Sequence, residues 1–245
     1  MPMRPIRVLA NAVVALLAAQ IVLMVVEGIA LLYRLGVLHR LQSNEFVSQA
    51  QAQGADNAVG TATSIGGLLF LATVVVWCVW QHRAQHNAAG LTTVSLRFTP
   101  GWAVGWWFIP IANLFKPFQG VRELWKASHG GNEWERLATW AVIGWWWAAW
   151  LVGNLHIWFG SEEGGFSFGT DTFSAPISLS GLVSHDTWEI VSIGLRVVAA
   201  LLAVAIVRSV VRLQEAAEPS RFVVMPPGMP PLPAPPSGPP PAPPA

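Results

Sequence analysis

Four long apolar runs constrain this chain more than any other feature of its sequence. They lie near Val8–Leu32, Gly60–Trp80, Leu137–Phe159 and Trp188–Val211. Each can supply the roughly 20 helical residues that cross a hydrocarbon core of about 30 Å. Only 11% of the 245 residues are charged, against about a quarter in a soluble domain. The runs therefore predict an all-α integral membrane protein with four transmembrane helices.

The first run follows Arg4 and Arg7, as the apolar part of a secretory signal peptide would. It continues to Leu32, well beyond the roughly 7 to 15 apolar residues of a cleavable signal. We therefore interpret it as an uncleaved anchor and assign residues 1–213 to one membrane domain. The chain has a single cysteine, Cys78, so no intramolecular disulfide is expected.

The positive charges predict which connections are cytoplasmic, because Lys and Arg accumulate on that side of a membrane. Arginine or lysine is present in the N-terminal segment, in the long connection between the second and third runs, and in the C-terminal segment. The connection 160–187 has no Lys or Arg but four acidic residues, and 33–59 has only Arg34 and Arg40. We expect a multi-pass protein of a bacterial cytoplasmic membrane with both termini cytoplasmic.

A fifth apolar stretch, Pro100–Pro117, is too short to cross. The stretch from Trp102 to Phe115 spans roughly 21 Å as a helix, less than the hydrocarbon core. A full crossing would also place Arg97 and Lys116 on opposite sides and turn the acidic connection inward. The segment 100–128 is therefore predicted to be re-entrant or to lie along the inner interface.

Proline gives a mechanism for this return. Pro110 lacks an amide hydrogen and pushes Ile109 away from helical dihedral angles, so a helix that starts at Pro100 should break there. Pro117 places the same restriction on Lys116. Backbone groups freed at a break cannot face lipid, and we expect the side chain of Asn113 to cap one of the broken ends.

An amphipathic helix is predicted after Pro117. One face carries Val121, Leu124, Trp125 and Ser128, at the spacing of successive helical turns. Arg122, Lys126 and Glu123 are expected elsewhere on the helix. Such a helix can lie on the inner leaflet with its cations near anionic headgroups.

The stretch "RFTPGWAVGWWFIPIANLFKPFQGVRELWKAS", Arg97–Ser128, resembles the hallmark of an uncharacterised family of bacterial membrane proteins, domain of unknown function 4328. The family pattern is a Pro-Ile-x-Asn core, a second proline seven residues after the first, and a following Glu, then Leu or Ile, then Trp. The matching positions are Pro110, Ile111, Asn113, Pro117, Glu123, Leu124 and Trp125. The resemblance extends over roughly 8–213 and implies a multi-span membrane protein, without an activity, substrate or cofactor.

Three ionisable residues are predicted at similar depth in the outer leaflet: Glu27, His156 and Arg196. An ionisable group within a span usually faces the bundle interior or pairs. One interpretation is a polar cluster in which Glu27 pairs with Arg196 and His156 adds a pH-sensitive member, as a proton or ligand site. The alternatives are a structural salt bridge and side chains that extend to the outer interface.

No pattern predicts catalysis or a cofactor. His82 and His86 would share a helical face, but two ligands without a nearby Cys or acid favour a solvated interfacial pair over a metal site. None of the common hydrolase, metalloprotease or nucleotide-binding motifs is present, so no enzyme is expected. A formal charge of +1 argues against nucleic-acid binding.

Residues 214–245 are predicted to form a disordered, proline-rich cytoplasmic tail. The part from Met225 to Ala245 has 12 prolines in 21 residues, which favours extended polyproline II. Such segments can dock on aromatic grooves of partner proteins, but without flanking charges a spacer is the simpler interpretation.

Two function classes remain open. The first is a structural or interaction component of the cell envelope, in contact with the lipid bilayer and with a protein partner of the tail. The second is a small transporter or channel in which the break at Pro110 lines a polar path and Glu27, His156 and Arg196 lie at its outer end. Because the chain is short, a pore would require a homo-oligomer.

Overall fold

The computed structural model describes residues 3–92, 94–131, 133–154 and 178–217, and in these ranges the regular elements are helices without strands. The α-helices are α1 (Arg7–Gln42), α2 (Gln49–Leu91), α3 (Pro100–Gly105), α4 (Pro110–Asn113), α5 (Lys116–Ala127), α6 (Ala141–Gly153) and α7 (Leu179–Ala217). Two 3-10 helices, Trp106–Phe108 and Trp134–Arg136, lie between them. The all-α fold class is confirmed for these residues.

Three helices, α1, α2 and α7, are long and apolar enough to cross a membrane. The predicted spans 8–32, 60–80 and 188–211 lie within them. Three apolar helices of this length identify a multi-pass membrane protein.

The predicted outer connection 33–59 is largely helical, because α1 continues to Gln42 and α2 begins at Gln49. The turn between α1 and α2 is confined to residues 43–48. Ser48 and Gln51 form a capping box, with each side chain bonded to the other's backbone N–H at 3.2 Å, and this starts α2 early. With 36 and 43 residues, α1 and α2 extend about 54 and 65 Å. Both helices therefore continue beyond a hydrocarbon core.

The predicted third span, 137–159, is described only in part. It begins with an irregular stretch, residues 137–140, directly after the 3-10 helix Trp134–Arg136, and α6 then covers 13 residues. Residues 155–159 lie outside the described residues. A fourth crossing therefore stays a prediction.

The helices pack with α1 against α2 and α7, and with α6 against α7. The main core joins α1, α2, α5, α6 and α7, and its fully buried members include Val13, Trp80, Leu124, Ile143 and Ile206. Gly153 marks the closest approach of α6 to α7. A Cβ atom added there would lie 3.1 Å from Cγ of Arg196 and 3.2 Å from Cβ of Leu195.

The segment after α2 is broken as predicted. It runs through α3, a 3-10 turn and α4, and the longest of these pieces has six residues. Ile109 has extended dihedral angles (φ −100°, ψ 111°) directly before Pro110, as the proline requires. The restriction predicted for Lys116 is wrong, because Lys116 begins α5. Pro117 lies in the first turn of α5, where a missing amide hydrogen costs nothing.

Substitution of Gly153 by Leu should separate α6 from α7. The added side chain would meet Arg196 and Leu195, and overpacking of this kind costs about 1–3 kcal/mol. We expect a lower melting temperature of the purified protein in detergent. Gly144→Leu on the same helix is the matched control, since a Cβ atom there meets nothing within 4 Å. Equal melting temperatures for the two variants would contradict the proposed close contact.

Candidate functional site

The broken segment receives its missing hydrogen bonds from neighbouring helices. Gln81 of α2 is fully buried, and its Nε2 donates to the carbonyl of Ala103 at 3.1 Å. Trp147 of α6 donates its indole N–H to the carbonyl of Leu114, also at 3.1 Å. Carbonyls at the ends of short helices lack intrahelical partners. Side chains of α2 and α6 therefore satisfy backbone groups that lipid could not.

Trp107, in the 3-10 turn of the segment, packs within a group of tryptophans. Its ring centroid lies 5.8 to 6.3 Å from those of Trp77, Trp146, Trp147 and Trp150. The indole N–H groups of Trp77 and Trp107 both donate to Oε1 of Gln81 at 2.9 Å. We call these five tryptophans and Gln81 the tryptophan cluster. It gives the mid-helix tryptophans of α6 a role in holding the segment.

Asn113 does not cap the break, so that prediction is wrong. Its side chain makes no hydrogen bond to any described residue, and its Oδ1 is buried without a partner. The end of α4 closes instead through its own backbone, with Leu114 N–H donating to Ile111 at 3.3 Å and Phe115 N–H to Ala112 at 3.2 Å. The amide of Asn113 is therefore a buried acceptor without an assigned donor.

Glu123 is buried, although the amphipathic pattern places it away from the packed face. Its Oε1 accepts from the backbone N–H of Arg97 at 2.6 Å. Its Oε2 accepts from the N–H of Phe98 at 3.0 Å and from Gln85 at 3.2 Å. Val121, Leu124 and Ser128, which share the predicted apolar face, are fully buried within the protein. Glu123 thus ties α5 to α2 and to the chain that enters the broken segment.

Burial raises the pKa of the Glu123 carboxyl above its ordinary value. The hydrogen bonds from Arg97, Phe98 and Gln85 favour the charged form, but the loss of hydration is the larger effect. Glu123 therefore holds the chain at Arg97 and Phe98 through its acceptor oxygens. Burial of its charged form nevertheless costs free energy.

Trp125, another residue of the Arg97–Ser128 motif, lies at the end of the bundle where α1 begins and where α2 and α7 end. We call this end the base of the bundle. There Trp125 donates to Oγ of Ser209 at 3.0 Å, and Gln214 donates to the Ala84 carbonyl at 2.9 Å. Asn87 exchanges two hydrogen bonds with the backbone of Arg4, both at 2.9 Å. The motif is thus part of a polar joint between α1, α2, α5 and α7.

The predicted pair of Glu27 and Arg196 does not form. Glu27 accepts a hydrogen bond from Thr63 at 2.8 Å, whereas Arg196 pairs with Glu189 on its own helix. Each group thus has a different partner, and the partner of Arg196 is seven positions earlier in the same helix. His156 lies outside the described residues. A cluster that includes it therefore stays a prediction.

His82 and His86 are both partly buried near the end of α2. The described residues contain no group of three or more His, Cys, Asp or Glu that could hold a metal ion. Two histidines alone are a poor site for zinc, which takes four ligands in structural sites and three protein ligands in catalytic ones.

An ion-pair cluster at the end opposite the base was not predicted. Asp186 of α7 is fully buried, and Arg34 of α1 binds both of its oxygens, through Nε at 2.8 Å and through Nη2. Asp56 of α2 lies 3.7 Å from Arg34, and His185 lies 3.3 Å from Asp186. The only signal in the sequence was that Arg34 and Arg40 are the cations of a side rich in acids.

The comparisons with known proteins gave one match. Residues 43–214 match the family model described as "Domain of unknown function (DUF4328)". The match begins after α1, whereas the sequence resemblance was expected from Val8. No curated protein and no solved structure matches the chain.

Replacement of Glu123 by Ala should loosen the chain that enters the broken segment. The backbone N–H groups of Arg97 and Phe98 would lose their acceptor, at about 1–3 kcal/mol for each buried group. We expect faster amide hydrogen exchange at these two residues and a lower melting temperature. Glu135→Ala is the control, because Glu135 is exposed and its carboxylate makes no hydrogen bond to the described residues. Unchanged exchange at Arg97 and Phe98 would show that Glu123 is not their anchor.

The raised pKa of Glu123 predicts a pH dependence of stability. The folded protein holds this proton more tightly than the unfolded chain, whose carboxyl titrates near pH 4.5. The resulting stability is complete below that pH and is lost as the pH rises through the folded-state pKa. We expect the melting temperature of the wild type, relative to Glu123→Gln, to fall from about pH 4.5 towards neutrality. Glu135→Gln should run parallel to the wild type, and a constant difference between wild type and Glu123→Gln would contradict the prediction.

Proposed function

The chain belongs to the family described as Domain of unknown function (DUF4328), and we propose that it is a structural or interaction component of a bacterial cell envelope. In this proposal four spans, with α6 beginning the third, place both termini and the base of the bundle in the cytoplasm. The broken segment and α5 then form a fixed surface at the inner face of the membrane. The predicted boundary of the tail at residue 214 is wrong, because α7 continues to Ala217 and Gln214 is buried. In this proposal the chain after Ala217 extends towards a protein partner.

The packing of the broken segment carries this proposal. A segment that opens and closes, or that lines a path for ions, needs backbone carbonyls that face water. Here the carbonyls of Ala103 and Leu114 are bonded to Gln81 and Trp147, and the ring of Trp107 is enclosed by other tryptophans. These contacts support a braced structural element over a conducting one.

One observation favours a small transporter or channel as the second candidate. Oδ1 of Asn113 is buried and unpartnered within the described residues, and a buried acceptor usually has a hydrogen-bond partner, often water. A wet path past Asn113 would supply that partner. The two candidates therefore differ in whether water reaches Asn113.

Cysteine labelling in intact cells tests the proposal. In a Cys78→Ala background, Asn113→Cys should resist a small hydrophilic thiol reagent, while Lys116→Cys should react, because a braced segment excludes water from Asn113. Rapid labelling at Asn113 would favour the transport candidate and overturn the structural one.

A pair of tryptophan variants shows whether the labelling reports packing. Trp147→Phe removes the donor to Leu114 and should make Asn113→Cys reactive. Trp145→Phe is the control on the same helix, because Trp145 is 70% exposed and its indole makes no hydrogen bond to the described residues. Protection that survives Trp147→Phe would mean that the bond to Leu114 does not brace the segment.

A further inference from the structure

A small cleft opens beside α5 at the base of the bundle. Its volume is about 200 Å³, and its walls are the chain that enters the broken segment, the outer side of α5 and the 3-10 helix Trp134–Arg136. The lining residues that bear on its chemistry are Arg97, Arg122, Lys126, Trp134, Glu123 and Glu135. No part of the structural proposal uses this space.

Three cations line the cleft, and within the described residues none of them forms an ion pair. Lys126 donates to the backbone carbonyl of Glu135 at 3.3 Å. The guanidinium groups of Arg97 and Arg122 lie over the rings of Phe98 and Phe118, at 5.8 and 5.5 Å. None of the three forms an ion pair with a described acidic residue. Their free N–H groups can therefore bind an anion.

The two carboxylates of the cleft, Glu123 and Glu135, are fewer than its three cations. The oxygens of Glu123 already accept hydrogen bonds from two backbone N–H groups and from Gln85. The side chain of Glu135 is exposed, so water screens its charge. Arg97, Arg122 and Lys126 thus give the cleft an excess of positive charge.

A buried donor without a partner also lines the cleft. Trp134 is 5% exposed, and its indole N–H has no hydrogen-bond acceptor among the described residues. Buried polar groups are nearly always paired. Because Trp134 lines the cleft, an anionic oxygen that reaches the indole N–H from there would supply the missing acceptor.

The position of the cleft favours lipid as the source of that anion. The adjoining broken segment exposes large apolar side chains, including Trp102, Phe108, Ile111 and Phe115. An exposed apolar patch next to cations is typical of a surface that meets a bilayer. Lys116 lies over the ring of Trp106 at 5.3 Å, and such aromatic residues often lie at the level of the headgroups.

We propose that the cleft binds the phosphate of an anionic glycerophospholipid. Arg97, Arg122 and Lys126 provide the charge, and Trp134 provides a neutral donor that orients the phosphate. The acyl chains lie against the exposed apolar side chains of the broken segment. The proposal is independent of the envelope function, because the cleft and Asn113 involve different side chains and different measurements.

Native mass spectrometry of the full-length, delipidated protein tests this site. The protein is offered equal amounts of phosphatidylglycerol and phosphatidylcholine, and the ratio of the two bound lipids is measured. We expect the wild type to retain phosphatidylglycerol, and Arg122→Gln with Lys126→Gln to lower the ratio about tenfold. Arg136→Gln is the control, because Arg136 is on the adjoining 3-10 helix but outside the cleft, paired with Glu133 at 3.2 Å.

A substitution that leaves the charge unchanged distinguishes lipid binding in this cleft from general electrostatic attraction to the base of the bundle. Trp134→Phe keeps the charge of the cleft and should lower the ratio about threefold, because one hydrogen bond is lost. Arg122→Lys keeps the charge but changes the donor geometry. Because the phosphate is bound mainly as a point charge, the lipid ratio of this variant should stay near that of the wild type. Melting temperatures show which variants remain folded. If the double variant unfolds, Trp134→Phe and Arg122→Lys still test the site.

Three results would overturn the proposal. An equal loss in Arg136→Gln would show that the charge of the whole base attracts the lipid. An unchanged ratio in Trp134→Phe and in the folded double variant would remove the cleft as the site. Binding of glycerol 3-phosphate alone, with displacement of phosphatidylglycerol, would identify a soluble phosphorylated ligand instead.

Discussion

The need to satisfy every backbone polar group at the membrane determines much of this structure. Prolines break the segment between α2 and α5, and each break releases carbonyls that hydrocarbon cannot bind. Gln81 and Trp147 supply two of the missing donors, and Glu123 supplies acceptors for the N–H groups of Arg97 and Phe98. The tryptophans then fill the space around these bonds. In place of one continuous helix, this segment consists of short pieces that other helices hold in place.

Features of the sequence that act locally could be predicted, and features that depend on distant helices could not. Pro110 breaks the helix through its own ring, so the extended conformation of Ile109 could be predicted from two residues. Asn113 lies between the prolines and is predicted to cap a broken end, but the end of α4 closes through its own backbone and the side-chain donors to Ala103 and Leu114 come from α2 and α6. No local pattern distinguishes Gln81, which follows an apolar run, from a polar residue at a membrane surface.

The candidate site shows the same limit. The helical pattern identified the buried face of α5 through Val121 and Leu124. It placed Glu123 with the cations, because a carboxylate on a short helix is usually solvated. Burial of Glu123 depends on two backbone N–H groups that reach it only after the chain has folded back past α2. Likewise, Glu27 and Arg196 are predicted at a similar depth in the membrane, but a shared depth does not determine which side chains are in contact.

The ion pair between Arg34 and Asp186 joins residues that are 152 positions apart in the chain. When α1 is made, most of the protein, including α7, does not yet exist. Asp56 on α2 emerges much sooner and also lies near Arg34 in the finished fold. During synthesis Asp56 is therefore the first of the two acidic partners that Arg34 can meet, and Asp186 joins it when α7 is made. The end of α1 that carries Arg34 thus gains its bidentate ion pair only when α7 is in place.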